Sequence, residues 1–184
     1  MFNRPRRTIL VLLCTTCVVL CACLALRRYH SYVSAKRWHF IEGNKVPIGA
    51  YKIRLPQLWW RTDDAAYDTL LFLRVTDSNT SLGPQIVVAP AIIGEVRGTE
   101  QEELKTTEHL ITVDDKGDMG RSASLVVLKT KAFTLYCEKK EASPMGEKLY
   151  SHLTCHAAAV PYTFIYQGPP MFETEAESIL STLQ

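Results

Sequence analysis

Cys137 and Cys155 constrain what this chain can fold into more than any other pair of its residues. They stand equidistant from position 146, and Ser143-Pro144-Met145-Gly146 carries proline second and glycine fourth, the pattern of a type I turn. A hairpin folded about that turn sets the two cysteines opposite each other on adjacent strands. Both also belong to an apolar face of period two: Phe133, Leu135 and Cys137 on one strand, Leu149, Ser151, Leu153 and Cys155 on the other. Opposed residues of an antiparallel pair lie about 4.5–5.5 Å apart at Cα, within disulfide range. A bridge closing a loop of about 18 residues stabilises a fold by about 3 kcal/mol in the chain-entropy model. The alternative is a pair of buried thiols. If the bond forms, the domain faces an oxidising space: a bacterial periplasm, or a eukaryotic lumen or exterior.

Alternation of period two dominates from Ala50 onward. Tyr51, Ile53 and Leu55 alternate with Lys52 and Arg54, and Pro56 ends that strand. Thr69–Val75 and Ile86–Ala89 are apolar runs short enough for central strands, and Leu125–Leu128, Phe133–Cys137, Leu149–Ala157 and Tyr162–Tyr166 continue the series, with turns at Asp77–Ser81 and Asp114–Asp118. Two helices are expected among them. Thr99-x-x-Glu102 and Thr174-x-x-Glu177 both match the capping box, in which the threonine oxygen accepts from the N3 amide and the glutamate reaches back. Ala176, Ile179, Leu180 and Leu183 then form one apolar stripe that docks on a sheet. Strands joined by short turns, with helices inserted once and at the end, give an α+β class: an antiparallel sheet of six to seven strands flanked by two helices.

Tyr51-Lys52-Ile53-Arg54-Leu55-Pro56 with Trp59 resembles the opening strand and P-x-x-W of the PsbP/Mog1-like domains. The closing strand, Gly168, and the helix ending Glu177-Ser178-Ile179-Leu180-Ser181-Thr182 are similar to that family's C-terminal helix. The resemblance covers about 130 residues in order of elements. It implies a curved antiparallel sheet and a non-catalytic binding or assembly role, and it transfers no binding residue.

Ahead of that body, Thr8–Leu26 is nineteen residues without a charge, bracketed by Arg6-Arg7 and Arg27-Arg28. At about 1.5 Å per residue a helix of this length spans about 28 Å, close to the hydrocarbon thickness of a bilayer. One reading is a transmembrane signal-anchor over residues 1–28, a juxtamembrane linker over 29–48 and a globular α+β domain over 49–184. A cleavable signal peptide is the rival, although its apolar region normally runs to about 7–15 residues. A third reading takes Leu20-Cys21-Ala22-Cys23 as a bacterial lipobox with Cys23 the lipidated residue. Cys14, Cys17 and Cys21 share one helical face, where cysteine serves as a small apolar residue; hydrocarbon opposes the thiolates a metal would need.

Residues 1–37 hold seven basic side chains and no acid, which leaves 14 basic against 19 acidic residues over 38–184. A mildly acidic body lacks the electrostatic footprint of nucleic-acid binding. Local groups that suggest chemistry fail on geometry. His152 and His156 share a strand face but stand about 13 Å apart, too far for one ion. Asp114–Asp118 has Lys116 where a calcium loop needs an acid. Asp63-Asp64 reads as a solvated loop pair, and Ser122 with His109 and Asp114 is a triad without positive support. No cofactor and no metal are expected.

Two consecutive tryptophans on an extended segment cannot both face a core. Either Trp59 plugs the sheet while Trp60 lies under a loop, or the pair Trp59 and Trp60 offers an exposed aromatic anchor for a partner, a lipid headgroup or a glycan, which makes them the candidates for a partner-binding surface. The sequence as a whole points to a single-pass membrane protein. Residues 8–26 would lie in the bilayer, with the N-terminus cytoplasmic and the domain periplasmic or extracellular/lumenal, where it serves as an interaction or assembly module for an envelope protein. The alternatives are a membrane-surface hydrolase gathering His109, His152 or His156 with carboxylates, and a carrier of a small ligand or lipid.

Overall fold

The computed structural model describes residues 4–62, 69–75, 83–91, 98–117, 123–145 and 148–184; the side chains at 4–12, 24–28, 30–31, 113–117, 141–145 and 148–149 lie outside the description. The chain opens with α1 (Arg4–Glu42), followed by the hairpin β1 (Lys45–Ile48) and β2 (Tyr51–Arg54). Then come β3 (Trp59–Thr62), β4 (Leu70–Arg74), β5 (Gln85–Pro90) and α2 (Glu100–Gly117). Strands β6 (Ala123–Lys129), β7 (Thr134–Met145), β8 (Lys148–His156) and β9 (Tyr162–Gly168) lead through a 3-10 turn at Pro170–Phe172 into α3 (Glu173–Leu180). Seven strands form one antiparallel sheet in the order β3-β4-β5-β9-β8-β7-β6.

The period-two pattern explains the layers. Trp59, Phe72, Ile86, Val88, Phe164, Tyr166, Leu153, Cys155, Cys137 and Leu135 bury one face of the sheet. Ala176, Ile179, Leu180 and Leu183, the stripe expected of α3, close over that face together with Val46, Ile48, Ile53 and Leu55 of the small hairpin. Burial of this apolar surface is the main term holding the layers together. Helix α2 covers the other face beside β6 and β7, where Tyr136, alternating with Leu135 and Cys137, meets Glu100. The α2 capping box forms as read: Thr99 N donates to Glu102 Oε2 at 3.1 Å and Glu102 N to Thr99 Oγ1 at 3.3 Å.

Several expectations are corrected. The linker assigned to 29–48 is neither irregular nor outside the domain: α1 is helical to Glu42, and β1 contributes Val46 and Ile48 to the core. Gly43, at φ +77°, ends α1 and donates its N–H to His39 O, the left-handed C-terminal stop that glycine permits. Gly49, at φ +56°, turns the β1–β2 hairpin, and a Cβ there would lie 2.4 Å from Tyr162 Oη. Thr174-x-x-Glu177 is not a capping box, because the 3-10 turn feeds directly into α3 and places Thr174 inside the helix. Asp114–Gly117 continue α2 rather than turning.

The β7–β8 turn also moves. Ser143, Pro144 and Met145 belong to β7, and an irregularity between Lys140 and Ser143 shifts the register by one residue. Pro144 pairs with Leu149 of β8, and among the described residues the β6–β7 ladder runs to Ala123 opposite Lys140. Cys137 nevertheless pairs with Cys155, and the disulfide forms with an S–S distance of 2.11 Å and Cα atoms 4.0 Å apart.

No helix among the described residues is long and apolar enough to cross a membrane. The side chains of residues 13–23 of the nineteen-residue apolar run are described and exposed, whereas those of 8–12 and 24–26 lie outside the description.

Candidate functional site

A cleft of about 420 Å³ opens where the end of α1 runs beside β3, the edge strand of the sheet. The helix supplies Ser34, Arg37, Trp38, Ile41 and Glu42, and the strand supplies Trp60, Arg61 and Thr62. Ser34, Arg37, Trp38 and Ile41 fall at i, i+3, i+4 and i+7, so one helical stripe forms the wall. Ala35, 1 % exposed, seats the helix on the body, and Trp38 packs against the core.

His39 fixes the angle between wall and strand. Its Nε2 lies 2.9 Å from Pro56 O and 2.8 Å from Trp59 O, and its Nδ1 lies 3.1 Å from Gly43 O. One ring thereby ties the last turn of α1 to the start of β3. Below the strand, Trp59 Nε1 donates to Glu175 Oε1 at 3.0 Å and Arg74 Nε donates to Glu175 Oε2 at 2.7 Å. The Arg74 guanidinium also lies 4.1 Å above the Phe172 ring. These contacts bind the β3 edge to α3, so the cleft floor belongs to the rigid part of the domain.

Among the described residues the lining mixes apolar and polar side chains and carries two guanidinium groups against one carboxylate. Among the described residues, Arg61 Nε is buried and has no hydrogen-bond partner. A buried N–H without an acceptor is costly, and a charged one more so. The arrangement suits an anionic group held beside apolar or aromatic surface, and offers no nucleophile paired with a base.

Of the residues singled out from sequence, Trp60 lines the cleft and Trp59 does not. Trp59 is fully buried, where the reading of it as the plug of the sheet puts it, so of the two tryptophans Trp60 alone stays a candidate for a partner surface: alternation sends Trp59 into the core and its neighbour outward. Cys137 and Cys155 are bridged. Cys23 is exposed on α1. His109 is exposed on α2, whereas His152 and His156 sit half-buried on the sheet face opposite the core. Burial, and then Lys140, hold the His152 imidazole below its ordinary range. None of the three histidines lines the cleft. Asp63-Asp64 and Ser122 lie outside the described residues, as does the side chain of Asp114. Among the described residues no group of three or more His, Cys, Asp or Glu is placed to hold a metal ion.

Arg37, Trp38 and Arg61 were not legible as site residues. The helical spacing of Ser34, Arg37, Trp38 and Ile41 is the signal the sequence carries for the helix side of the cleft.

No family model matches the chain, and no curated protein does. Among solved structures, it is similar to the solution structure of cyanobacterial PsbP (CyanoP) from Synechocystis sp. PCC 6803. That protein is 12 % identical over 73 % of this chain and 85 % of that one, with a TM-score of 0.41. A crystal structure from Bacteroides thetaiotaomicron VPI-5482 is 17 % identical over 73 % of this chain, with a TM-score of 0.45. This chain spans 44 % of the Bacteroides protein. The PsbP likeness is of the kind anticipated from Tyr51–Pro56 and the closing helix, and no function is carried across at these values.

Proposed function

We propose that the chain is a membrane-anchored, extracytoplasmic interaction domain that engages a protein partner at the α1–β3 cleft without catalysing a reaction. The observation that carries this reading is the continuity of α1. One helix, Arg4–Glu42, holds the uncharged run Thr8–Leu26 near one end and builds the cleft wall at the other. Such a helix would hold the domain at a set height above a bilayer rather than on a slack tether. The Cys137–Cys155 bond supports an oxidising compartment, and with it an N-terminus in the cytoplasm. Processing or lipidation at Cys23 would leave residues 34–42, and therefore the cleft, in place.

The test combines extraction and thiol chemistry on the native protein. Retention in alkaline-washed membranes at the full mass of 20.8 kDa is the expected result, with Cys137 and Cys155 alkylated only after reduction. Recovery in the soluble cytosolic fraction, with both thiols reactive in intact cells, refutes the reading.

A further inference from the structure

We propose that the cleft receives an extended acidic segment of a partner protein, which adds to β3 as an eighth strand and sets a carboxylate against Arg61 and Arg37. This rests on the interaction-domain reading and names the chemistry of its partner.

The backbone at the sheet edge carries the first part of the argument. Trp59 spends both main-chain groups outside the β3–β4 ladder: its N–H goes to Pro56 O at 2.9 Å, and its carbonyl lies 2.8 Å from His39 Nε2. Its partner across the ladder, Arg74, likewise donates its N–H away from β3, to Pro84 O. Antiparallel pairs alternate between bonded and non-bonded positions, so Trp60 exchanges bonds with Leu73. Arg61, opposite Phe72, therefore directs its N–H and C=O outward along the cleft. An edge so directed is a template for an added strand, and a strand brings side chains alternately to the two sides.

The second part is charge. Among the described lining residues Glu42 is the one carboxylate beside Arg37 and Arg61, and the buried Arg61 Nε lacks an acceptor among the described residues. A carboxylate supplies that acceptor with the planar geometry a guanidinium matches. Trp38, Ile41 and Trp60 then take the apolar residues that alternate with the acid.

Height decides against a lipid headgroup as the source of the anion. From Leu26 to Arg37, α1 rises about 16 Å. The headgroup layer is about 5–8 Å thick on each side. A tilt of about 40°, the upper end of the usual range, still leaves Arg37 about 12 Å beyond the hydrocarbon.

The test uses the full chain in zwitterionic nanodiscs, observed through the backbone amide and Nε–H resonances of Arg61. The probes are the peptide acetyl-Glu-Leu-Glu-Leu-Glu-amide, its lysine counterpart, inorganic phosphate and dihexanoyl phosphatidylglycerol. The acidic peptide is expected to shift both Arg61 resonances saturably, with binding at least tenfold weaker in Arg61→Gln and in Arg37→Gln. Arg37 is exposed on the helix, so its variant keeps the fold. Four outcomes overturn the proposal: no saturable shift, an equal response to the lysine peptide, an Nε–H shift without the backbone amide, or a response to phosphate or the lipid with the peptide silent. None of these alters membrane retention or the state of Cys137 and Cys155, so failure here is distinguishable from failure of the interaction-domain reading.

Discussion

At the scale of single residues, the chain separates neighbours with the same side chain by what each one touches. Trp59 lies in the core with its indole N–H on Glu175, while Trp60 faces the cleft. The glutamates at the start of α3 are sorted in the same way. Glu173 is buried against Ser151 and Lys139, and the Lys139 ammonium is held above its ordinary range chiefly by the hydrogen bond to Glu173. For Glu177, one turn on, burial outweighs the attraction of Lys139. Burial, and then the Glu173 carboxylate, push its carboxyl up from the ordinary 4.5, against the pull of Lys139. A carboxyl raised by folding contributes stability in its protonated form, present below the ordinary value and lost as pH rises through the raised one. Glu177→Gln keeps the neutral form at every pH, so its melting temperature exceeds the parent's at pH 7. The difference shrinks to nothing below pH 4.5. His152 acts with the opposite sign: its lowered value gives stability above 6.5 that is lost on acidification, in parent and variant alike. Calorimetry of the two proteins between pH 4 and 8 therefore isolates the carboxyl; a gain that is constant with pH refutes the assignment.

At the scale of elements, what was legible is what periodicity encodes. Every strand from Tyr51 onward, apart from β3, was readable, the half-buried ones from alternation and β4 and β5 as apolar runs of the length of a central strand. The stripe Ala176, Ile179, Leu180 and Leu183 gave α3 by its helical spacing. What escaped was set by neighbours. Residues 29–42 carry charged and aromatic side chains all round, and they are fixed as helix by docking at Ala35 and His39 rather than by pattern. The four-residue strands β1 and β3 were not read as strands: β1 carries Pro47 and stands against Gly43-Asn44, and β3 begins with two consecutive tryptophans and no alternation of apolar and polar residues. Pro144 was legible as a turn residue and lies instead in β7, paired with Leu149 of β8. The cysteine register survived this slip because the irregularity falls between the cysteines and the turn. The bridge closes 18 residues across the hairpin at the centre of the core, so replacing both cysteines by alanine is expected to cost about 3 kcal/mol in the chain-entropy model. Urea unfolding of the double variant beside the parent measures it, and an unchanged midpoint shows that the hairpin gains nothing from the bond.

At the scale of the whole molecule, α1 decides where the cleft can work. Helices of this length curve gently, and sharp kinks need a proline, a glycine pair or an inserted side chain; α1 holds Pro5 near its first residue and no other proline or glycine. If Thr8–Leu26 lies in hydrocarbon, Trp38 stands twelve residues further on, about 18 Å along the axis, and about 14 Å above the hydrocarbon even at a tilt of about 40°. The protein carries its own probes for this geometry, because its three tryptophans are Trp38, Trp59 and Trp60, two lining the cleft and one beneath it. In vesicles of brominated lipid, whose quenching acts at contact, tryptophan emission is expected to equal that in unbrominated vesicles. Acrylamide in the water should quench the fraction from Trp38 and Trp60 and spare that from Trp59, and Trp60→Phe should remove part of the accessible fraction. Strong quenching by brominated lipid would mean that the domain lies down on the bilayer with the cleft against it. The anion recognised by Arg37 and Arg61 would then come from the lipid surface, and the helix would act as a hinge instead of a strut.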